Sequence, residues 1–200
     1  MLDQKRDLFK NLEKGVGKFF SFLPFTPNQY TVLSILFGFG SFYYLTQRRL
    51  LAAIIYFLIA GFLDFVDGAV ARHKNMTTKM GAYLDTVVDR YVEGFLLLGM
   101  LFLQLPRITF PAYIWIFLVL FGSLLTTYAK AAAKEKELTN QELKGGLLSR
   151  GERIILLLLA LLLGIFDTSF NLTVYILILL AVLTNFTALQ RINSAIKLNK

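Results

Sequence analysis

The chain has 200 residues, 56% of them hydrophobic, and carries a formal net charge of +8. This balance excludes an ordinary soluble globular domain, and the absence of cysteine excludes disulfides and thiolate metal sites. Positive charge spread between apolar blocks points to an anionic membrane surface or a phosphate ligand, and nucleic acid is not an expected partner.

In chain order, residues 1–20 interleave Leu2, Leu8, Phe9, Leu12, Val16, Phe19 and Phe20 with Lys and Asp. The pattern predicts an interfacial amphipathic helix on the cytoplasmic surface and carries no cleavable signal sequence. Six apolar blocks follow, at 30–46, 50–72, 80–105, 111–134, 151–166 and 170–191. About 20 helical residues cross a hydrocarbon core of about 30 Å, so these blocks predict six transmembrane helices. The fold expected is all-α: a six-helix integral membrane bundle over 30–191, with 1–200 forming a single membrane domain. Tyr43, Tyr44, Tyr113 and Trp115 lie near block ends, where aromatic rings anchor helices at the interface.

The connections are unequal in charge. Arg48, Arg49 and Arg107 lie on one side, whereas Lys5, Arg6, Lys10, Lys14, Lys18, Arg72, Lys74, Lys79, Lys130, Lys134, Lys136, Lys144, Arg150, Arg153, Arg191, Lys197 and Lys200 lie on the other. The positive-inside bias therefore places both termini in the cytoplasm. A multi-pass cell-membrane protein is expected.

Against this background, four aspartates stand out. The second block ends Asp64-x2-Asp67-Gly68-x2-Ala71-Arg72, and the third opens Gly81-x3-Asp85-x3-Asp89. An Asp at the centre of a membrane helix costs roughly 2.5 to 3.5 kcal/mol, so such residues mark functional sites by default. Asp64, Asp67, Gly68 and Ala71 stand at i, i+3, i+4 and i+7 on one helix stripe, and Gly81, Asp85 and Asp89 at i, i+4 and i+8 on another. A short polar turn between two antiparallel helices brings all four acids to a similar depth near the cytoplasmic side. Glu93 continues the second stripe, while Arg90 points elsewhere and suits a structural ion pair. His73 reads as a turn residue.

Two like charges about 4 Å apart repel by about 4 kcal/mol at an effective dielectric near 20. Either some of the carboxyls protonate or metal ions neutralise them. Oxygen-only ligands favour Mg²⁺ or Mn²⁺, and two such ions on a diphosphate suit in-line phosphoryl transfer. Intramembrane acids also mark ion pathways, which keeps an ion-coupled transporter as an alternative. Acids confined to one half of the chain, without repeated halves, argue against it. Farther on, Lys130, Arg150, Arg153 and Arg191 come from three segments that reach the same cytoplasmic level.

The full pattern from Asp64 to Asp89 resembles the signature of the CDP-alcohol phosphatidyltransferases, with every fixed position present at the expected spacing. The likeness extends more loosely from Thr26 to Arg191, and Asn28 and Thr31 are similar to the polar opening of that family's first span. It implies transfer of a substituted phosphate group from a CDP-lipid (CDP-diacylglycerol or CDP-archaeol) to an acceptor hydroxyl, with release of CMP. It further implies that Asp64, Asp67, Asp85 and Asp89 bind two ions, Mg²⁺ or Mn²⁺, and that Asp89 is the general base. Gly68, Ala71, Arg72, Gly81, Asn28 and Thr31 would serve the nucleotide and diphosphate, and a homodimer is expected. Tyr128-Ala129-Lys130 and Ser149-Arg150-Gly151-Glu152-Arg153 resemble segments of the phosphatidylinositol-phosphate synthase branch and its archaeal counterpart. By that resemblance Lys130, Arg150, Arg153 and Arg191 bind the phosphate of a soluble phosphorylated polyol, inositol phosphate. Glycerol phosphate or an amino alcohol such as serine is the alternative acceptor.

Overall fold

The computed structural model describes residues 6–138 and 146–198, with side chains from residue 11 onward. Residues 1–5 of the expected interfacial helix, together with Lys144 and Lys200, lie outside it, as do the side chains of Arg6, Leu8, Phe9 and Lys10. Among the described residues there are seven helices and no named strand: α1 (Arg6–Phe20), α2 (Pro27–Thr46), α3 (Leu50–His73), α4 (Lys79–Met100), α5 (Ala112–Glu135), α6 (Arg150–Phe166) and α7 (Asn171–Leu198). The sequence predicts one domain, and the backbone packs into two compact units, Met1–Leu103 and Gln104–Lys200.

The apolar blocks become helices, but α4 stops at Met100, short of the 105 expected, and α7 runs on to Leu198, past the 191 expected. Three of them, α3, α5 and α7, are long and apolar enough to cross a membrane. Their outward faces are apolar: Leu58, Phe117 and Leu189 are all more than half exposed. In water such a surface would be a liability; against lipid it is the expected exterior.

In the first unit, α2 is the element on which α3 and α4 both pack, while α3 and α4 touch each other only sparsely. The buried stripe of α2 runs Tyr30, Thr31, Ser34, Gly38, Ser41, Leu45. Small residues replace bulk there because helices in lipid associate by close backbone approach and not by a hydrophobic drive. A Cβ on Gly38 would stand 3.1 Å from Val92, and one on Gly99 would stand 2.6 Å from Leu45. α1 packs on α3 through Val16 and Phe20, which meet Tyr30, Val66 and Val70.

In the second unit α7 packs on both α5 and α6. Thr173 donates to the Ala160 carbonyl at 2.7 Å, and the Asn185 side-chain amide donates to the Leu118 carbonyl at 2.9 Å. A Cβ at Gly122 would come within 2.6 Å of Thr184 Oγ1, so α5 and α7 are in close contact at that point.

Three helices stop in the same way. Arg48, Asn75 and Glu137 take φ of 56°, 53° and 54°, and the residue after each donates back into its helix: Arg49 to Tyr44, Met76 to Ala71, Leu138 to Ala133. This left-handed ending usually falls to Gly, and Asn75 is the one tolerant residue of the three. It turns the chain at the end of α3, and Thr78 then restarts it by accepting from the Gly81 N–H at 2.9 Å.

Candidate active site

α3 and α4 carry the acids, and their sparse mutual packing leaves space between the acidic stripes. That space is a cavity of about 340 Å³ lined by residues of α2, α3, the turn after α3 and the first turns of α4. The volume falls in the range of small-molecule sites, about 300 to 1,000 Å³. One carboxylate oxygen from each of Asp64, Asp67 and Asp85 lies within 4.8 Å of the others. Asp67 is buried at 6% exposure, while Asp64 and Asp85 are half-buried.

The donor set fits a hard divalent ion. Two oxygens on opposite sides of a Mg²⁺-sized ion stand about 4.2 Å apart, at about 2.1 Å per bond, so the trio needs little adjustment to share one. The charge also demands it. Among the described residues, the cavity lining holds three carboxylates and a single cationic side chain, Arg72.

Asp67 is aimed by α2. The Thr31 hydroxyl, with one proton to give, lies 2.5 Å from Asp67 Oδ2 and 3.2 Å from the Pro27 carbonyl. The shorter, charge-assisted contact takes the proton. Thr31, read from sequence among the nucleotide contacts, thus lines the cavity and also orients a carboxylate. Its position follows from the start of α2, where Pro27 opens the helix and Gln29 Oε1 accepts from the Thr26 N–H at 2.7 Å.

The other nucleotide candidates also line the cavity: Asn28, Gly68, Ala71, Arg72 and Gly81. A Cβ on Gly81 would meet Thr78 Oγ1 at 3.1 Å and Asn28 Oδ1 at 3.4 Å, so the Asn28 side chain lies over the start of α4. A Cβ on Gly68 would meet Arg72 Nη2 at 3.0 Å and Nη1 at 3.3 Å, so the guanidinium folds back over Gly68 one turn earlier. Arg72 is ion-paired with Glu13 of α1, a residue that sequence reasoning passed over. No local pattern links positions 13 and 72; only the packing of α1 on α3 does.

Asp89 stands apart from the trio. It lies one turn beyond Asp85 on α4, is buried at 8% exposure, and is not among the cavity-lining residues. Arg90 bonds the buried Glu93 at 2.9 Å, so the structural ion pair expected for Arg90 is made with the acid that continues the Asp85–Asp89 stripe.

The basic candidates all belong to the second unit. Arg191 Nη1 donates to the Thr126 carbonyl at 3.2 Å, one turn of α5 before Lys130. The segment entering α6 is tied to α7 just before Arg191: Leu148 N–H donates to Thr187 Oγ1 at 3.1 Å and Leu147 N–H to Gln190 Oε1 at 2.8 Å. Ser149 and Glu152 then cap α6 reciprocally, at 2.8 and 3.4 Å. Lys130, Arg150, Arg153 and Arg191 are therefore gathered at one end of this unit, with Arg153 buried at 3% exposure.

Comparison with known proteins shows the family. The profile of the CDP-alcohol phosphatidyltransferase family matches residues 25–188. The chain is 33% identical to an archaetidylinositol phosphate synthase of Pyrococcus horikoshii, over 98% of this chain and 97% of that one. It is 34% identical to a phosphatidylinositol phosphate synthase of Corynebacterium glutamicum, over 73% of this chain and 67% of that one. Its fold is similar to the crystal structure of Mycobacterium tuberculosis phosphatidylinositol phosphate synthase with CDP-DAG bound, with a TM-score of 0.80 and 24% identity over 92% of this chain and 94% of that one. A crystal structure of that mycobacterial enzyme with manganese and citrate aligns equally well, again at a TM-score of 0.80 and 24% identity, over 92% of this chain and 88% of that one. With the match running from just before α2 into α7 and taking in the whole acidic pattern, the chain is a membrane enzyme of the CDP-alcohol phosphatidyltransferase family.

Proposed function

We propose that this enzyme transfers the phosphatidyl-type group of a CDP-lipid, CDP-diacylglycerol or CDP-archaeol, to a hydroxyl of inositol phosphate and releases CMP. The observation that carries the reading is the carboxylate trio Asp64, Asp67 and Asp85 facing a cavity that also holds Arg72 and Asn28. The names of the relatives support the acceptor, since those of Pyrococcus horikoshii and Corynebacterium glutamicum are inositol phosphate-type synthases.

In this reading Asp64, Asp67, Asp85 and Asp89 hold two ions, Mg²⁺ or Mn²⁺. When bound, the ions neutralise diphosphate charge and favour the leaving oxygen of an in-line displacement. The chain does the rest. Asn28, Thr31, Gly68, Ala71 and Gly81 line the nucleotide and diphosphate space, and Arg72 offers guanidinium donors to phosphate oxygens. Lys130, Arg150, Arg153 and Arg191 bind the acceptor's phosphate, for which guanidinium geometry is suited. Asp89 takes the proton from the acceptor hydroxyl. The resulting oxygen attacks the lipid-side phosphorus, the P–O bond to CMP breaks, and CMP leaves with the electron pair.

Six helices, α2 to α7, cross the membrane in this reading. Residues 1–20 lie on its cytoplasmic face, the termini and active site face the cytoplasm, and two copies form a homodimer in which each chain acts as one catalytic domain. The charge asymmetry of the connections supports the orientation.

The test is CMP release from purified protein in lipid vesicles containing CDP-diacylglycerol or CDP-archaeol. Inositol phosphate, glycerol phosphate and serine are offered in turn, each with Mg²⁺, with Mn²⁺ or with chelator. Release that needs both a divalent ion and inositol phosphate is the expected result. Equal release with glycerol phosphate or serine would overturn the acceptor, and no release under any condition would overturn the transferase.

A further inference from the structure

α1 reaches the active site through one stripe. Glu13, Val16, Gly17 and Phe20 stand at i, i+3, i+4 and i+7 and so share a face. Val16 and Phe20 pack against Tyr30, Val66 and Val70, and the Tyr30 hydroxyl donates to the Phe20 carbonyl at 3.1 Å. At Gly17 the two backbones nearly touch: a Cβ there would stand 2.6 Å from the Ala69 carbonyl oxygen and 3.1 Å from His73 Cβ. These contacts hold α1 at one register along α3, and one turn before Gly17 that register delivers Glu13 to Arg72.

The details of this contact matter. Glu13 Oε1 accepts from Arg72 Nε, the edge of the guanidinium that a ligand does not need. The Nη nitrogens, which carry four of its five N–H donors, are left pointing back over Gly68 in the cavity wall. Without a partner, a half-exposed arginine on the last turn of a helix samples many rotamers, and fixing it costs entropy each time an anion binds. A carboxylate on Nε lowers that cost in advance.

We propose that Glu13 is a positioning residue for the donor substrate, holding the Arg72 guanidinium so that its Nη edge meets the diphosphate of the CDP-lipid. This inference rests on the role given to Arg72 above. The full-length protein in vesicles is assayed as Glu13→Gln, Glu13→Asp, Arg72→Ala and the double variant Glu13→Gln/Arg72→Ala. KM and kcat are measured for CDP-diacylglycerol at saturating inositol phosphate, and KM for inositol phosphate at saturating CDP-diacylglycerol.

Glu13→Gln raises the KM for CDP-diacylglycerol about fivefold, the size expected for losing one charge-assisted orienting contact. The KM for inositol phosphate stays unchanged, and Glu13→Asp recovers part of the loss. Arg72→Ala raises the same KM further, and adding Glu13→Gln to it changes nothing more, because Glu13 acts only through Arg72. Equal effects of Glu13→Gln in both backgrounds, or a fall in kcat with KM unchanged, would overturn the positioning role. Should Arg72→Ala itself leave the KM for CDP-diacylglycerol unchanged, the assignment of Arg72 fails first; a silent Glu13→Gln beside an active Arg72→Ala removes only the inference about Glu13.

Discussion

The two units treat aspartate charge in opposite ways. In the second unit Asp167, between α6 and α7, is satisfied by the chain itself: it accepts from the Ser169 hydroxyl and backbone N–H and from the Leu172 N–H at the start of α7. These donors hold its carboxyl below the usual carboxylate range, the Ser169 hydroxyl most of all. In the first unit Asp64, Asp67 and Asp85 are turned toward one another around a cavity, a geometry that raises the energy of all three. The lesson is that a capped acid belongs to the fold, while acids gathered against their own repulsion belong to a ligand.

Breaking the trio has the largest expected effect. Asp67→Asn or Asp85→Asn lowers CMP release by about a thousandfold or more. The same variants melt higher than the parent protein in chelator, because a repulsive charge has gone, and gain less from added Mg²⁺. A parent protein whose melting is indifferent to Mg²⁺ would place the trio with Asp167 as a structural feature.

Asp89 sharpens the contrast on the same helix. Asp89→Asn lowers kcat by about a hundredfold to ten-thousandfold while CDP-lipid binding, measured by equilibrium titration, persists. If binding is lost with turnover, Asp89 acts only through the ions it helps to hold, and its second role as base falls.

Support for the trio is the next effect down. Thr31→Val removes the hydroxyl on Asp67 and weakens the half-saturating Mg²⁺ concentration by about tenfold, with near-normal turnover at saturating metal. An unchanged metal dependence would mean that packing alone orients Asp67. In the second unit Lys130→Ala raises the KM for inositol phosphate by severalfold and leaves that for CDP-lipid unchanged; a reversed pattern would give the basic group to the donor.

The smallest effect concerns Asp167. Its folded pKa is depressed, so its contribution to stability is present above the unfolded carboxylate pKa and fades as pH falls through the lower folded value. Asp167→Ala therefore melts slightly below the parent protein at neutral pH, and the gap closes in strong acid. A gap that persists in acid would show that the loop contributes by packing and not by its charge.

How much of this was legible beforehand differs between the units. The block lengths and the i, i+3, i+4 and i+7 spacing set the helices and put Asp64, Asp67, Gly68 and Ala71 on one face, because helical periodicity is local. The basic residues of the second unit were legible only as charges in separate connections, and their gathering depends on bonds from Arg191 to Thr126 and from Leu148 to Thr187. The helix endings at Arg48 and Glu137 gave no signal, since neither residue favours the left-handed conformation it adopts.

What the amino-acid order determined by itself was the apolar helices, the stripe of each acid and, through the spacing from Asp64 to Asp89, the family. Only the tertiary structure decided that α3 and α4 pack through α2 more than on each other, which opens the cavity and draws Asp85 to Asp64 and Asp67 but leaves Asp89 a turn away. It alone also joined Glu13 to Arg72 and Thr31 to Asp67. The reason is physical: periodicity within one helix is set by 3.6 residues per turn, whereas the distance between helices is set by which small side chains let their backbones meet.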